Sequence, residues 1–272
     1  MRVHVLQIGY GDDEPVADRV ARVAALVAEQ RGADLVVLPE LWAPTGFGYQ
    51  SWAEHAEPVD GPTVRAIAEA ARVAGVTVHA GSIIERATDD APPGERGPRG
   101  RGRWNTSVLI GPDGAVQAVY RKIHLFGFAG GEPAFLEPGE DVVTAVLPTS
   151  AGPVTLGLTT CYDLRFPELY RRLVDAGTRV FVVPAAWPAR RVEHWTLLGR
   201  ARAVENQCVV VQCNTAGTHA GVAMGGRSQV VSATGEVLAE AGDGEQVLVV
   251  DVDVEAVEKW RTEFPVLADR RL

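Results

Sequence analysis

Cysteine is scarce in this 272-residue chain: three residues, Cys161, Cys208 and Cys213, with no CxxC pair among them. That excludes a disulfide framework and a dithiol redox motif, and it suits a reducing cytoplasm. Positive charge is in the minority, 26 Lys plus Arg against 35 Asp plus Glu, for a formal net charge of −9. This balance argues against a nucleic acid or an anionic membrane as the main partner. No apolar run reaches the length of a membrane span, and the opening MRVHVLQIGY goes straight into strand-like alternation without a signal-type apolar region. The six histidines are scattered without metal-ligand spacing. The glycine-rich residues 221–226 lack the Lys-Ser/Thr of a phosphate loop and the strand–turn–helix setting of a dinucleotide site, so neither a metal nor a nucleotide is expected.

What is present is a large apolar fraction, 46%, enough for a sizeable core and for an α/β fold running as one domain over residues 1–272. Residues 3–8 read as a strand. In residues 15–30 the stripe Val16, Val20, Val23 and Val27 predicts a one-sided helix that leaves Arg19, Arg22 and Glu29 to water. Residues 34–39 (DLVVLP) form a continuous apolar run with a proline stop, the pattern of a strand buried on both faces, and Glu40 follows at once. The next loop, 41–52, is rich in glycine and aromatics (Trp42, Phe47, Tyr49, Trp52); these either line a pocket, with Tyr49 a candidate substrate contact, or form a lid packed on the core. Pro62–Ala74 is a helix closed by Gly75. Residues 86–103 carry Pro, Gly and Arg without apolar anchors and are expected to be a mobile, solvated surface loop rather than a linker, since strand patterns flank it on both sides.

Residues 104–122 have strand, turn, strand form and end on Lys122, followed by a glycine-rich loop, 126–139, that contains Glu132. The apolar run 154–158 then leads into TTCYDLRFPELYRR, residues 159–172, with a helical pattern on the far side. Cys161 thus falls on a bend between a buried strand and a helix, where N-terminal amides would favour its thiolate; the alternative is a buried structural cysteine. Another proline-stopped strand (178–184), a helix (194–207), a strand (207–214), a hairpin (226–241) and a last strand (247–252) precede a short helix and a tail. Cys208 and Cys213 lie on opposite faces of one strand and read as core. The order strand, helix, proline-ended strand occurs near the start and again from residue 154, which suggests two similar halves forming two sheets face to face with helices outside.

Glu40, Lys122 and Cys161 share one property: each sits where a buried strand ends. Strands that are neighbours of the same sense would bring all three to one rim. A thiol, a carboxylate and an ammonium make a complete set for acyl transfer, with Cys161 attacking a carbonyl, Glu40 moving protons, and Lys122 with the backbone N–H of Tyr162 stabilising the oxyanion. His124 follows Lys122 closely and reads as a packing or loop-ordering residue.

These stretches, LPELW with Glu40, YRKIHLF with Lys122 and TTCYDLRFPELYR with Cys161, resemble the three signature blocks of the nitrilase (carbon–nitrogen hydrolase) superfamily, and the similarity extends over nearly the whole chain through HWTLLGRARAVENQ and the closing hairpin. The resemblance implies a four-layer α-β-β-α sandwich of two mixed sheets that pairs as a homodimer, Glu40 as base, Lys122 as oxyanion partner, Cys161 as nucleophile, and no metal or organic cofactor. It also implies a second glutamate beside the lysine; register to Pro138-Gly139 points to Glu132, with Glu137 as the alternative. Cys161-Tyr162-Asp163 is similar to the amidase side of the superfamily, and the block as a whole is most similar to the omega-amidase branch. That implies a small, carboxylated amide as substrate, with Arg165 a candidate for its carboxylate (or else part of a structural salt bridge) and Trp187 a pocket wall (or else plain core). An N-carbamoyl-amide hydrolase, a nitrilase and a catalytically silent binding scaffold are the alternatives.

Overall fold

The strand–helix–strand pattern that occurs twice in the sequence becomes two six-stranded sheets in the computed structural model, which describes residues 1–88 and 91–271. In the first half, β1 (Arg2–Gln7) and β2 (Gly9–Gly11) lead to α1 (Val16–Ala28), β3 (Leu35–Val37), α2 (Pro62–Ala74), β4 (Thr77–Arg86), β5 (Arg103–Ile110) and β6 (Val116–Arg121). A four-residue helix, α3 (Glu132–Phe135), and β7 (Thr144–Leu147) lead to the second half. There β8 (Val154–Leu158), α4 (Pro167–Asp175), β9 (Val180–Ala185), α5 (Val192–Asn206) and β10 (Val209–Asn214) repeat the alternation. The chain continues through β11 (Ala216–His219), β12 (Val222–Ala223), β13 (Gln229–Val231) and β14 (Val237–Glu240). Finally β15 (Gln246–Asp251) returns to the first sheet antiparallel to β1, and α6 (Glu255–Glu263) follows.

The strand orders are β15-β1-β3-β4-β5-β6 and β14-β13-β10-β9-β8-β7. In each sheet the three central strands are parallel (β1, β3, β4 and β8, β9, β10) and antiparallel strands flank them. One core lies between the sheets, with Val3, Val5, Leu35 and Val37 facing Leu156, Leu158, Val182 and Val211. Helices α1 and α2 bury Val23, Val27, Ile67 and Ala71 on the outer face of the first sheet, against Val36 and Val78. Helices α4 and α5 cover the second sheet in the same way, with Leu169, Leu173, Trp195 and Ala203 against Phe181 and Val183. The result is the four-layer α-β-β-α arrangement. Strands β3 and β9 lack polar alternation because both of their faces are covered. Cys208 and Cys213 enter different cores, one on each side of the second sheet.

Three details differ from the reading of the sequence. Arg19, expected in water, is 2% exposed. The loop after β3 folds back over α1, so the guanidinium donates to the carbonyls of Trp42, Ala43 and Glu14 and lies 3.9 Å from the Tyr10 ring centroid. Strand β9 runs through Pro184 to Ala185 instead of stopping at the proline. Its pairing with β8 ends at Val182, so on that side the missing N–H leaves no ladder bond broken. A small sheet, β12-β11-β2, also caps one end of the sandwich and had no clear signal in its short, glycine-containing strands. Of the segment 86–103, residues 89 and 90 lie outside the described residues, as does residue 272 of the tail. No helix among the described residues is long and apolar enough to cross a membrane.

Candidate active site

Three strand ends converge, but not as neighbours in one sheet: β3 and β6 are separated by β4 and β5, and β8 belongs to the second sheet. Glu40 lies three residues beyond β3, Lys122 directly follows β6, and Cys161 lies three residues beyond β8, in the other sheet. Lys122 Nζ is 2.7 Å from Glu40 Oε1 and 2.8 Å from Glu132 Oε2, with Glu132 placed on the first turn of α3. Glu40, Lys122 and Glu132 are buried to 3%, 1% and 3% exposure, while Cys161 retains 7%, so the sulfur is the member of the set most open to a substrate. The Glu40 charge acts directly on its thiol.

Asn105, on β5, completes the floor. Its Nδ2 donates to Glu40 Oε1 and to Glu132 Oε1, both at 2.8 Å, and so holds the two carboxylates around one ammonium. Glu40 Oε2 accepts the backbone N–H of Ala186 at 2.8 Å, and Glu132 Oε2 accepts that of Phe126 at 2.5 Å. The sequence reading missed Asn105. Its neighbours Thr106 and Ser107 are polar too, so within the buried strand β5 nothing set it apart.

The electrostatics follow from two carboxylates sharing one buried cation. Burial works against the charge on Lys122, but Glu132 and Glu40 outweigh it and hold its pKa well above the ordinary lysine value. One ammonium cannot fully compensate two buried carboxylates. Burial and the neighbouring Glu40 charge therefore raise Glu132 despite Lys122. Burial, then the Glu40 charge, also push the Cys161 thiol well above its ordinary range. This corrects the expectation that N-terminal amides would favour the thiolate: the short 3₁₀ turn at Cys161–Arg165 is outweighed by desolvation and by a carboxylate. A nucleophile in this setting needs a base at hand, and Glu40 lies near enough for its charge to act on the thiol.

Cys161 has a φ of +48°, in the left-handed region that a side chain adopts at a cost of about 1–3 kcal/mol. A second carboxylate holds this bend. Asp163, fully buried, accepts from Thr160 N (2.8 Å), Tyr120 Oη (2.7 Å), His124 N (3.0 Å) and pairs with His124 Nδ1 at 2.7 Å. The His124 ring also stacks on Phe166 with centroids 3.8 Å apart, consistent with its reading as a loop-ordering residue.

The cavity at Cys161 is small, about 20 Å³, and its wall includes Phe47, Phe126, Tyr162, Trp187, Arg165 and Arg191. Two much larger grooves, about 1010 and 1190 Å³, lie elsewhere, and none of Glu40, Lys122 and Cys161 lines them, so chemistry and not size marks the site. Trp187 faces this cavity, with its Nε1 donating to Arg191 O at 2.7 Å. Arg165 lies 4.8 Å over the Trp187 ring and 3.2 Å from His194 Nδ1; among the described residues no carboxylate pairs with it, so the structural salt bridge considered for it is not formed. Tyr49 does not line the cavity: it packs on Trp52 at 4.8 Å and stacks on Phe135 of α3 at 5.7 Å, while Phe47 of the same loop takes the wall position. Burial raises the Tyr49 pKa to about 12.

Glu137 does not approach Lys122. Its carboxylate accepts the backbone N–H groups of Arg99 (2.7 Å) and Arg101 (2.6 Å), tying the segment between β4 and β5 to the chain after α3. Glu132 is the glutamate at the lysine. No group of three or more His, Cys, Asp or Glu residues placed to hold a metal occurs among the described residues.

Residues 2–262 match the family profile described as carbon-nitrogen hydrolase. The chain belongs to the carbon–nitrogen hydrolase family. As such it is an enzyme that hydrolyses carbon–nitrogen bonds other than peptide bonds. This carbon–nitrogen hydrolase is 42% identical over 269 residues, 99% of its own length and 89% of the other's, to a 2-oxoglutaramate amidase from Paenarthrobacter nicotinovorans. It is 34% identical to an omega-amidase from Homo sapiens, covering 94% of this chain and 90% of that one. Among solved structures it is similar to a CN-hydrolase superfamily protein from Xanthomonas campestris with an arsenic adduct in the active site (TM-score 0.87, 29% identity, 100% and 97% of the two chains). It also resembles an amidase from Nesterenkonia sp. AN1 in which acrylamide has added to the active-site cysteine (TM-score 0.76, 30% identity, 97% of each chain).

Proposed function

We propose that the enzyme hydrolyses the terminal amide of a small aliphatic carboxylated amide, of the 2-oxoglutaramate type, to a carboxylate and ammonia through a thioester on Cys161. The observation that carries this reading is the lysine held between two glutamates beside a buried thiol. Cys161 Sγ attacks the amide carbon as its proton passes to Glu40. The oxyanion forms against Lys122 Nζ and the backbone N–H of Tyr162. Glu40 returns the proton to the leaving nitrogen, the C–N bond breaks, and ammonia departs. Water, deprotonated by Glu40, then attacks the thioester and frees the acid and the thiol. Glu132 and Asn105 keep Lys122 and Glu40 in register. Arg165, on the cavity wall without a carboxylate partner, is the cation for the substrate's acid group, and the similarity to 2-oxoglutaramate and omega-amidases supports an acid at that end.

The same reading has the enzyme working in the cytoplasm as a homodimer. Support for pairing comes from Leu197 and Val204, 64% and 52% exposed and seven residues apart on α5, which leave an apolar stripe on an outer helix. Light scattering behind a sizing column tests it, and a monomer at micromolar concentration would refute it.

The decisive experiment measures ammonia release from 2-oxoglutaramate, an N-carbamoyl amino acid and a nitrile, with acid-quenched samples examined by mass spectrometry. Turnover of the amide, with an acyl adduct on the peptide containing Cys161, is the expected result. Preference for either other substrate, or an adduct elsewhere, overturns the proposal.

A further inference from the structure

The active-site cavity carries a second unneutralised cation that the catalytic steps do not use. Arg191 ends a 3₁₀ turn, Ala189–Arg191, and lines the cavity with Cys161 and Arg165. Its guanidinium carbon lies 5.1 Å from the ring centroid of Phe126, as that of Arg165 lies 4.8 Å from Trp187, so each of two aromatic walls supports one guanidinium. An aromatic face orients such a group without cancelling its charge.

Elsewhere in this chain the half-buried Arg22 and Arg121 are paired with carboxylates, as is the buried Arg202, whereas Arg171 and Arg179 donate to backbone carbonyls instead. Among the described residues no carboxylate pairs with Arg191 or Arg165. The backbone at Arg191 is held, since its carbonyl accepts the Trp187 indole N–H at 2.7 Å. Burial, and the nearby Arg190 and Arg165 charges, disfavour the charge on Arg191, which an anion entering the cavity would relieve.

We propose that Arg191 is a specificity-determining residue of this enzyme: with Arg165 it forms a two-guanidinium site for the anionic end of the substrate, so the cavity selects an amide that ends in a carboxylate over an uncharged amide of equal length. The inference rests on the reading of Cys161 as the nucleophile of an amidase, and its test does not require turnover. Glutarate, which has the carboxylates and no amide, protects Cys161 from alkylation by uncharged iodoacetamide, followed by mass spectrometry of the peptide containing Cys161. In Arg191→Gln the glutarate concentration giving half-protection rises roughly tenfold or more, the scale of one lost charge-assisted hydrogen bond. Arg191→Lys keeps most of the protection, and Arg190→Gln, on the exposed neighbour, leaves it unchanged. Because the Arg191 charge and the Cys161 thiolate attract each other, alkylation without glutarate slows in Arg191→Gln and not in Arg190→Gln, and half-protection is referred to each variant's own rate.

Failure of glutarate to protect the wild-type enzyme overturns the proposal. So does a half-protection concentration in Arg191→Gln within twofold of wild type, or an equal loss in the lysine and glutamine variants, which would mean that Arg191 builds the site instead of reading its ligand. Where turnover is observed, kcat/KM for glutaramate falls in Arg191→Gln through KM, and that for pentanamide, the same five-carbon chain without the acid, does not. If protection behaves as expected while no amide is turned over, the anion site stands and the amidase reading fails.

Discussion

Two buried carboxylate centres flank Cys161, and they are satisfied in opposite ways. Asp163 is surrounded by donors from the backbone, a tyrosine hydroxyl and a histidine ring, and no lysine or arginine pairs with it among the described residues. Glu40 and Glu132 instead share one ammonium and one amide group, so two carboxylates lie side by side and the Glu40 charge works against that of Glu132. The first arrangement fixes a conformation: it ties Thr160, Tyr120 and the start of the following loop to the bend that holds Cys161 at positive φ. The second is held in place from outside yet sets two carboxylates against each other, and such a pair can take up and release a proton. Burial alone does not separate structure from chemistry in this protein. What separates them is whether a carboxylate stands alone among hydrogen-bond donors or beside a second carboxylate that works against its charge.

Substitutions can break that contrast. Cys161→Ala removes the nucleophile, so ammonia release falls to background while the melting temperature stays near that of the wild type; a collapsed fold would return the cysteine to a structural role. Lys122→Ala lowers kcat by about a hundredfold or more, the scale of losing an oxyanion donor, as measured by steady-state kinetics. Near-normal kcat would remove it from that role. Asp163→Asn sets an amide N–H against donors and costs roughly 3 kcal/mol, through lost hydrogen bonds and unsatisfied groups. In a chain of this size that lowers the melting temperature by roughly 6–12 °C, and calorimetry reads it directly. If Asp163→Asn instead leaves stability intact and abolishes kcat, the two centres are not different in kind.

The smallest effect expected is on the pH dependence of alkylation. The Cys161 pKa lies above its ordinary value of 9.0, so the thiolate fraction, and the iodoacetamide rate with it, keeps rising beyond pH 9. Cys208, raised to about 12, and Cys213 are buried without an opening and react more slowly throughout. A plateau for Cys161 below pH 8 would show a thiolate stabilised at rest and would contradict the burial argument.

Much of the site was legible because its three principal members end strands. DLVVLP-Glu40 and the run into Cys161 each announce a buried strand with a side chain at its tip, whereas the strand into Lys122 is a largely exposed edge strand, so there the strand end was right and its burial was not. Arg19 was misread for the complementary reason. Its position off the apolar stripe is correct for an isolated helix, but carbonyls from the returning loop at Trp42 and Ala43 cover it. Asn105 and Arg191 gave almost no local signal, since one looks like an ordinary polar residue in a strand and the other like a surface arginine before a helix. Tyr49 and Phe47 belong to one aromatic loop, and only the turn between them decides which ring meets the cavity.

By itself the sequence determined which strands would be buried on both faces, that the chain would lay down two matching halves, and which residues would stand at the strand ends, because apolar periodicity is a local property with a direct structural meaning. Only the tertiary structure decided which carboxylate faces the lysine and which fastens a loop, that Asn105 bridges Glu40 and Glu132, and that two arginines at the cavity lack acidic partners. Those facts are distances between residues tens of positions apart, created by packing one sheet on the other, and no local pattern encodes them.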